Sequence, residues 1–131
     1  MILETPRLLI TDDDRDFRAT LADVLQSRGF ETLEAGDGEE ALDVLHRCQV
    51  HLLLLDMQMP RLSGLETIRR VRQTGLQPRL PWILISGALD EAIVAEAQAA
   101  AAFSVLPKPL RLPQLTTAVQ DVLRQVYHWP S

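Results

Sequence analysis

Four short apolar segments of the 131-residue chain each end in polar residues that could do chemistry. These residues are Asp12, Asp13 and Asp14 after one segment, Asp56 after another, then Ser86 and Lys108. If the segments are parallel strands, their carboxyl ends meet at one edge of a sheet and the side chains converge. Crowded carboxylates repel one another, and a hard divalent cation such as Mg²⁺ relieves the repulsion and also binds phosphate oxygens. The ammonium of Lys108 and the hydroxyl of Ser86 could both bind the oxygens of such a phosphate group.

Asp56 is the most informative of these residues. It follows four leucines at the end of a strand that we expect to be central and buried, where an unpaired acid is costly. Asp14 and Asp16, by contrast, suit N-capping and the helix dipole. Lys108 is the only lysine beside 12 arginines, so one ammonium stands at a strand end in a chain that otherwise uses guanidinium groups. Together, at the ends of alternating strands, the residues favour a functional site over separate structural roles.

The chain alternates short apolar runs with longer segments of helical periodicity. Strands are predicted at residues 7–11, 31–34, 50–55, 82–86 and 103–106. A helical segment follows each strand, and the last three lie at about residues 64–74, 90–101 and 113–127. This alternation is typical of βαβ units around a parallel sheet. We therefore expect one α/β domain over residues 1–131, with a core at about 7–127 and tails at 1–6 and 128–131.

Composition excludes several classes of protein. The 13 basic and 18 acidic residues give a net charge of −5, which argues against a nucleic-acid surface. The cluster of Arg69, Arg70 and Arg72 is interpreted as a solvated helix face. The longest apolar run, residues 99–103, is far below the roughly 20 residues of a membrane helix. One cysteine, Cys48, and an N-terminus without signal-peptide features indicate a cytoplasmic protein.

Four motifs, in this order, resemble the receiver domain of two-component response regulators over nearly the whole chain. They are the acidic pair after the first strand, residues 54–60 (LLDMQMP) followed by Gly64, residues 85–87 (ISG), and residues 106–109 (LPKP). The resemblance implies a flavodoxin-like, doubly wound (βα)5 fold. Its five-stranded parallel sheet would have the order 2-1-3-4-5, with helices on both faces.

The resemblance also implies a metal site. Asp13 would bind Mg²⁺ directly and Asp12 through a water, while Asp56 and the backbone carbonyl of Gln58 complete the protein ligands. Mn²⁺ is an alternative cation. Because three acids stand in a row, Asp13 and Asp14 are an alternative pair, but the length of the first strand favours Asp12 and Asp13.

The implied function is that of a signalling switch without a turnover substrate. Asp56 would accept a phosphoryl group from a sensor histidine kinase, a histidine phosphotransfer protein or a small-molecule donor. Lys108 would contact the phosphoryl group, and the Ser86 hydroxyl would move toward it. The switched domain would bind a downstream protein or output domain, without direct contact to nucleic acid or membrane. Gln58 is a hypothetical determinant of signal lifetime, through a hydrolytic water.

Three positions depart from the usual pattern of that family. Receivers commonly carry Tyr or Phe three residues before the lysine, where this chain has Val105, and Phe103 is expected on the opposite face. The glycine that usually follows the fourth helix is replaced within residues 99–102, which removes an easy left-handed cap. Ser86 replaces the commoner Thr and keeps the hydroxyl. We expect intact phosphorylation chemistry with a weaker or differently wired conformational response. The Lys108–Pro109 bond is often cis in this family.

Alternative interpretations remain at this stage. Residues 12–15 lack the Asp-x-Asp-x-Thr pattern of aspartate-nucleophile phosphatases, and three acids would repel the phosphate of a flavodoxin-like electron carrier. An adaptor that works without phosphorylation is the more serious rival, because of Val105. His46, Cys48 and His51 are interpreted as a surface coincidence, since structural zinc normally needs four ligands. A single-domain regulator and the receiver of a longer protein stay equally open.

Overall fold

Five strands and five helices alternate along residues 5–129, the part of the chain that this computed structural model describes. In chain order they are β1 (Arg7–Thr11), α1 (Arg15–Ser27), β2 (Glu31–Ala35), α2 (Gly38–Arg47), β3 (Leu52–Asp56), α3 (Gly64–Thr74), β4 (Trp82–Ser86), α4 (Glu91–Ala99), β5 (Ser104–Pro107) and α5 (Leu112–Tyr127). The strands pair in parallel in the order β2-β1-β3-β4-β5. The predicted fold class and strand order are confirmed.

The central strands are those with continuous apolar sequence. Every residue of β3 and β4 is buried, as expected for strands that helices cover on both faces. The sequence predicted β3 at residues 50–55, whereas the strand begins at Leu52 and includes Asp56. Val50 lies before it, and its N–H donates to the Gln77 side chain at 2.9 Å instead of joining the sheet. Asp56 is therefore the last residue of the central strand.

Helices cover both faces of the sheet. The cluster on one face joins buried residues of α1 and α5, and the cluster on the other joins residues of α2, α3 and α4. Successive strand residues alternate between the two clusters: Leu8 and Ile10 pack toward α1 and α5, and Leu9 packs toward the other three helices. The sheet is thus enclosed by helices, and its carboxyl edge is the place where loops gather.

The end of α4 keeps a left-handed cap although no glycine is present. Ala101 has φ 63° and donates its N–H to the Gln98 carbonyl at 3.0 Å, while Ala102 donates to the Ala97 carbonyl at 2.9 Å. These two bonds form a Schellman motif, which usually has glycine at the left-handed position. The glycine that would make this cap easy is absent, as the sequence shows, and the left-handed cap forms at Ala101 nevertheless. The alanine adopts the strained conformation, because the two bonds satisfy carbonyls at the helix end.

Val105 and Phe103 pack on opposite faces of the sheet. Val105, on β5, contacts the cluster that contains α4, whereas Phe103 contacts the cluster that contains α1 and α5. Residues two apart on one strand would share a face. Phe103 differs because it lies before β5 begins. The two side chains are separated as expected, but not because the strand is regular: the predicted strand over residues 103–106 begins only at Ser104, and no aromatic ring stands at the Val105 position.

The described part of the predicted C-terminal tail packs on the core. The Trp129 ring centroid lies 5.0 Å from the Phe30 ring centroid, and the Trp129 backbone N–H donates to the Leu123 carbonyl at 3.1 Å. Residues 1–4 and 130–131 of the predicted tails lie outside the described residues. Among the helices of residues 5–129, none combines the length and apolar character that a bilayer-spanning segment requires.

Candidate functional site

The carboxyl ends of four strands bring together side chains that the sequence singled out. Asp12 follows β1, Asp56 ends β3, Ser86 ends β4 and Lys108 follows β5. Asp12, Asp56 and Ser86 are only 2%, 3% and 1% exposed. Two carboxylates so deeply buried need partners, because water no longer solvates their charge. The structure places all four side chains at the same edge of the sheet.

Lys108 is the positive partner of both buried acids. Its Nζ lies 3.0 Å from Asp12 Oδ2 and 3.4 Å from Asp56 Oδ1. The Lys108–Pro109 peptide bond is cis, as the resemblance led us to expect. One ammonium therefore faces two carboxylates. When both acids are ionised, the group formed by Asp12, Asp56 and Lys108 keeps a net negative charge although the lysine is protonated.

The acids after β1 have different roles in the structure. Asp12 is buried and accepts a hydrogen bond from the Asp14 N–H at 2.9 Å, whereas Asp13 is exposed. Asp14 is the N-cap of α1, and its side chain accepts from the backbone N–H groups of Asp16 and Phe17. Asp12 and Asp13, and not Asp14, lie with Asp56: ligand oxygens of these three residues are all within 4.8 Å of one another.

Arg18 anchors the backbone that carries Asp12, a contact that sequence reasoning missed. Its guanidinium donates to the Asp12 carbonyl at 2.7 Å and to the Glu34 carboxylate at 3.0 Å. The Arg18 side chain is 16% exposed, so the contact is partly shielded from solvent. Arginine suits this task because its planar fork can donate in two directions. The periodicity of α1 gave no indication of the contact, since the partner is a backbone carbonyl.

The Gln58 side chain engages the Ser86 hydroxyl. The Gln58 side-chain nitrogen Nε2 donates to Ser86 Oγ at 2.8 Å. The side-chain oxygen Oε1 lies 3.0 Å from the same hydroxyl and accepts from the Gly87 N–H at 3.3 Å. Ser86 Oγ also accepts from the Ala88 N–H at 3.1 Å. Sequence reasoning singled out the backbone carbonyl of Gln58 and a role in hydrolysis, and it missed this side-chain contact.

Gly64 allows α3 to begin directly against the backbone of Asp56. A Cβ at this position would lie 2.6 Å from the Asp56 carbonyl oxygen and 3.0 Å from Leu84 Cδ1. The Gly64 N–H donates to the Met57 carbonyl at 3.0 Å. The loop between β3 and α3 is therefore closed tightly over the end of the central strand, which fixes the position of the Asp56 main chain.

Burial and neighbouring charges shift the pKa values of Asp56 and Lys108. Burial, and then the neighbouring Asp12 charge, raise the pKa of Asp56 to about 6, although Lys108 and the Gln58 backbone N–H oppose the shift. Burial alone would lower the pKa of Lys108. The hydrogen bond to Asp12 and the charges of both acids outweigh burial, so the pKa of Lys108 is raised and the group stays an ammonium.

The donor set fits a hard divalent cation. Three carboxylates converge, and Oδ1 of Asp56 is buried without a hydrogen-bond partner in residues 5–129, its contact with Lys108 being electrostatic. Such an oxygen is suited to bind a cation, and oxygen-only ligands are typical of Mg²⁺, Mn²⁺ and Ca²⁺. The acidic pocket is compatible with a divalent metal, although its geometry does not choose among these ions.

The other groups considered in the sequence do not join the site. Within the described residues, the acidic pocket is the only group of three or more potential metal ligands, so His46, Cys48 and His51 do not form one. His51 instead accepts the Arg7 N–H on its Nδ1 at 2.9 Å. Arg69 pairs with exposed Glu96 at 3.1 Å, as expected for a solvated face.

Comparison with known proteins gives a consistent result. The family model of the response regulator receiver domain matches residues 8–120. The transcriptional regulatory protein CpxR of Escherichia coli is 35% identical over 123 residues, which are 94% of this chain and 51% of CpxR. The response regulator MprA of Mycobacterium leprae is 41% identical over 122 residues, 91% of this chain and 51% of MprA. The chain thus spans about half the length of these curated relatives.

A solved structure agrees with the fold. The chemotaxis protein CheY4 of Vibrio cholerae superposes with a TM-score of 0.86 at 27% identity, over 92% of this chain and 100% of CheY4.

Proposed function

The chain belongs to the response regulator receiver family, and from this membership we propose that it is a phosphoacceptor switch. Asp56 accepts a phosphoryl group from a sensor histidine kinase or a histidine phosphotransfer protein. One observation carries the proposal: the buried Asp56 carboxylate lies beside two further acids and 3.4 Å from an ammonium. A purely structural buried acid would need a counter-charge such as the lysine, but it would not need two further carboxylates beside it.

In the proposed reaction, a carboxylate oxygen of Asp56 attacks phosphorus in line with the leaving group. An O–P bond forms and the N–P bond of the donor phosphohistidine breaks, its electron pair leaving with the imidazole. The product is an acyl phosphate on Asp56. The attacking group must be ionised, and in the metal-free domain burial raises the pKa of Asp56 to about 6. Lys108 stabilises the negative charge on the phosphoryl oxygens, which the reaction brings close to its ammonium.

Mg²⁺ is the proposed cofactor, with Mn²⁺ as an alternative. Asp13, Asp56 and the Gln58 backbone carbonyl would hold the ion directly, and Asp12 would hold it through a water. When bound, the ion neutralises the carboxylates and stabilises charge on the phosphoryl oxygens. The crowding of Asp12, Asp13 and Asp56 supports this assignment, because the acids repel one another without a cation.

The phosphoryl group would act as a switch by adding negative charge beside Ser86 and Lys108. We propose that Ser86 turns toward it, gives up its bonds to Gln58, and biases the face formed by α4, β5 and α5 toward a second conformation. Because Val105 replaces the aromatic side chain of this face, we expect the conformational response of the face to be weaker than in relatives with Tyr or Phe at this position, or to be transmitted through other residues.

The proposed output lies beyond this domain. Receivers are signalling switches and not turnover enzymes, so the phosphorylated state would work by binding a downstream protein or an output domain. CpxR is named a transcriptional regulatory protein, and control of transcription is one output that we propose for the phosphorylated state. The net charge of −5 supports a domain that does not itself bind nucleic acid or a membrane surface, and we place it in the cytoplasm.

Beryllofluoride, which mimics an acyl phosphate, tests the proposed switch. In the presence of Mg²⁺ we expect it to shift backbone amide resonances around Asp56, Ser86 and Lys108 of the ¹⁵N-labelled domain, and to leave Asp56→Asn unchanged. Amide shifts in α4 and β5 would show that the signal reaches the proposed output face. A wild-type spectrum that does not respond would favour the adaptor that works without phosphorylation.

A further inference from the structure

The Lys108 ammonium has an aromatic partner in addition to its two carboxylates. Its Nζ lies 4.4 Å from the centroid of the Phe17 ring. An ammonium within about 6 Å of an aromatic face is attracted by the ring quadrupole. The carboxylate contacts come from Asp12 and Asp56 at sheet ends, whereas the ring comes from α1. The nitrogen is therefore located by three contacts from three different segments.

Phe17 is itself held in place. Its backbone N–H donates to the capping side chain of Asp14 at 3.1 Å, which fixes it in the first turn of α1. The ring is half-buried and packs against the core cluster that contains α1 and α5. The cap fixes the Phe17 backbone and the core contact restrains its ring, so the ring has little freedom to turn away from the ammonium.

Lys108 needs such a fixed partner, because its side chain is long and partly open to solvent. Four rotatable methylene links carry the ammonium, and the side chain is 26% exposed. We propose that Phe17 is a positioning residue, whose ring holds the Lys108 ammonium over the acidic pair and within reach of a phosphoryl group on Asp56. The contact itself is independent of the function proposed above, and its effect on phosphoryl transfer rests on that function.

The sole lysine of the chain permits a direct test of the contact. Labelling with ¹³C-lysine gives one side-chain spin system, and a ring within this distance shifts the Lys108 Hε resonances upfield from those of free lysine. We expect the shift in wild type and in Phe17→Trp, and its loss in Phe17→Leu, which keeps an apolar side chain. Wild-type Hε resonances at the position of free lysine would overturn the proposal without any variant having to fold.

The kinetic consequence is tested with the same variants and acetyl phosphate. We expect Phe17→Leu to lower the initial phosphorylation rate about two- to fivefold, and Phe17→Trp to retain it. In a Lys108→Ala background, Phe17→Leu is expected to have no further effect, whereas a general loss of packing would still lower the rate. A wild-type rate in Phe17→Leu, or an undiminished effect without Lys108, would overturn the positioning role.

Failure of this inference and failure of the proposed function are distinguishable. If wild type takes up no phosphoryl group, the function fails while the Hε shift still reports on the contact. If wild type is phosphorylated and the Hε shift is absent, the function stands and the role of Phe17 is overturned.

Discussion

The Gln58 side chain is hydrogen-bonded to the Ser86 hydroxyl, with 2.8 Å between Gln58 Nε2 and Ser86 Oγ. The hydroxyl that the proposed switch recruits therefore already has a partner. Each hydrogen bond of this kind contributes about 1 kcal/mol net, so Gln58 competes measurably with a phosphoryl group for Ser86.

Replacing Gln58 should prolong the phosphorylated state. In Gln58→Ala, Ser86 loses its competing partner and a hydrolytic water loses a polar group that could orient it, so both effects act in the same direction. We expect the phosphoryl adduct to decay roughly fivefold more slowly, a change that corresponds to about one hydrogen bond. Intact mass against time, after removal of the donor, measures the decay.

Ser86→Ala separates the two causes. If competition for Ser86 dominates, Gln58→Ala has little effect in the Ser86→Ala background, and if water orientation dominates, its effect persists there. An unchanged decay rate in the Gln58→Ala single variant would remove Gln58 from the account of signal lifetime.

The raised pKa of Asp56 predicts that this residue destabilises the folded domain at neutral pH. A buried carboxyl with a folded pKa of about 6 against an ordinary 3.8 binds its proton more tightly when folded. Its contribution is therefore fully favourable below about pH 4 and is lost as the pH rises through 6. We expect Asp56→Asn to raise the free energy of unfolding by about 1–3 kcal/mol at pH 7.5, and to lose this advantage toward pH 4.

Urea unfolding with a metal chelator, at a series of pH values, measures this difference. Asp23→Asn, on the exposed side of α1, is the matched control and should change the free energy of unfolding by less than about 0.5 kcal/mol. Equal stability of wild type and Asp56→Asn at pH 7.5 would contradict a raised pKa for Asp56.

A methyl group at Gly64 should disturb the site through the backbone. Its Cβ would meet the Asp56 carbonyl oxygen at 2.6 Å, so the start of α3 must move away from β3. We expect Gly64→Ala to lower the free energy of unfolding by about 1–3 kcal/mol and to slow phosphorylation. Gly36→Ala is the control, because its Cβ would make only ordinary van der Waals contacts, 3.4 Å from Glu40 Oε2 and 3.5 Å from Arg18 Nη1. Similar behaviour of the two variants would argue against a specific role for the close approach.

Replacing the alanine in the left-handed cap at the end of α4 with glycine should stabilise the folded domain. Ala101 has φ 63°, a conformation that glycine adopts without steric cost. We expect Ala101→Gly to raise the free energy of unfolding by about 0.5–1 kcal/mol. Ala95→Gly, at an exposed position inside α4, should lower it by about 1 kcal/mol. Thermal or urea unfolding of the pair gives changes of opposite sign, and destabilisation by both would show that the left-handed cap does not form.

The parts of the site that were predictable are those set by the ends of strands. Asp56 and Ser86 could be located because buried apolar runs define strands, and parallel strands bring their carboxyl ends together. The close contacts made by Arg18, Phe17 and the Gln58 side chain were not predictable. Each depends on a rotamer and a loop path. The partner of Arg18 is a backbone carbonyl six residues away, whereas Phe17 and Gln58 contact an ammonium and a hydroxyl far away in sequence.

The start of β3 and the end of α4 were hard to predict from the sequence for a related reason. A run of leucines shows that β3 is buried, but its first residue depends on the bond between Val50 and the side chain of Gln77. The alanine run after α4 offers no glycine for an easy left-handed cap, yet two backbone bonds impose this cap on Ala101. Local preference was overridden in both places by hydrogen bonds that involve particular backbone groups.

The central claim is that Asp56 accepts a phosphoryl group. Intact mass after incubation with Mg²⁺ and acetyl phosphate tests it most directly, in wild type and in Asp56→Asn. We expect one phosphoryl adduct in wild type, none without Mg²⁺ and none in Asp56→Asn. An adduct that persists in Asp56→Asn, or a wild-type protein that stays unmodified with both acetyl phosphate and a histidine phosphodonor, would contradict the account.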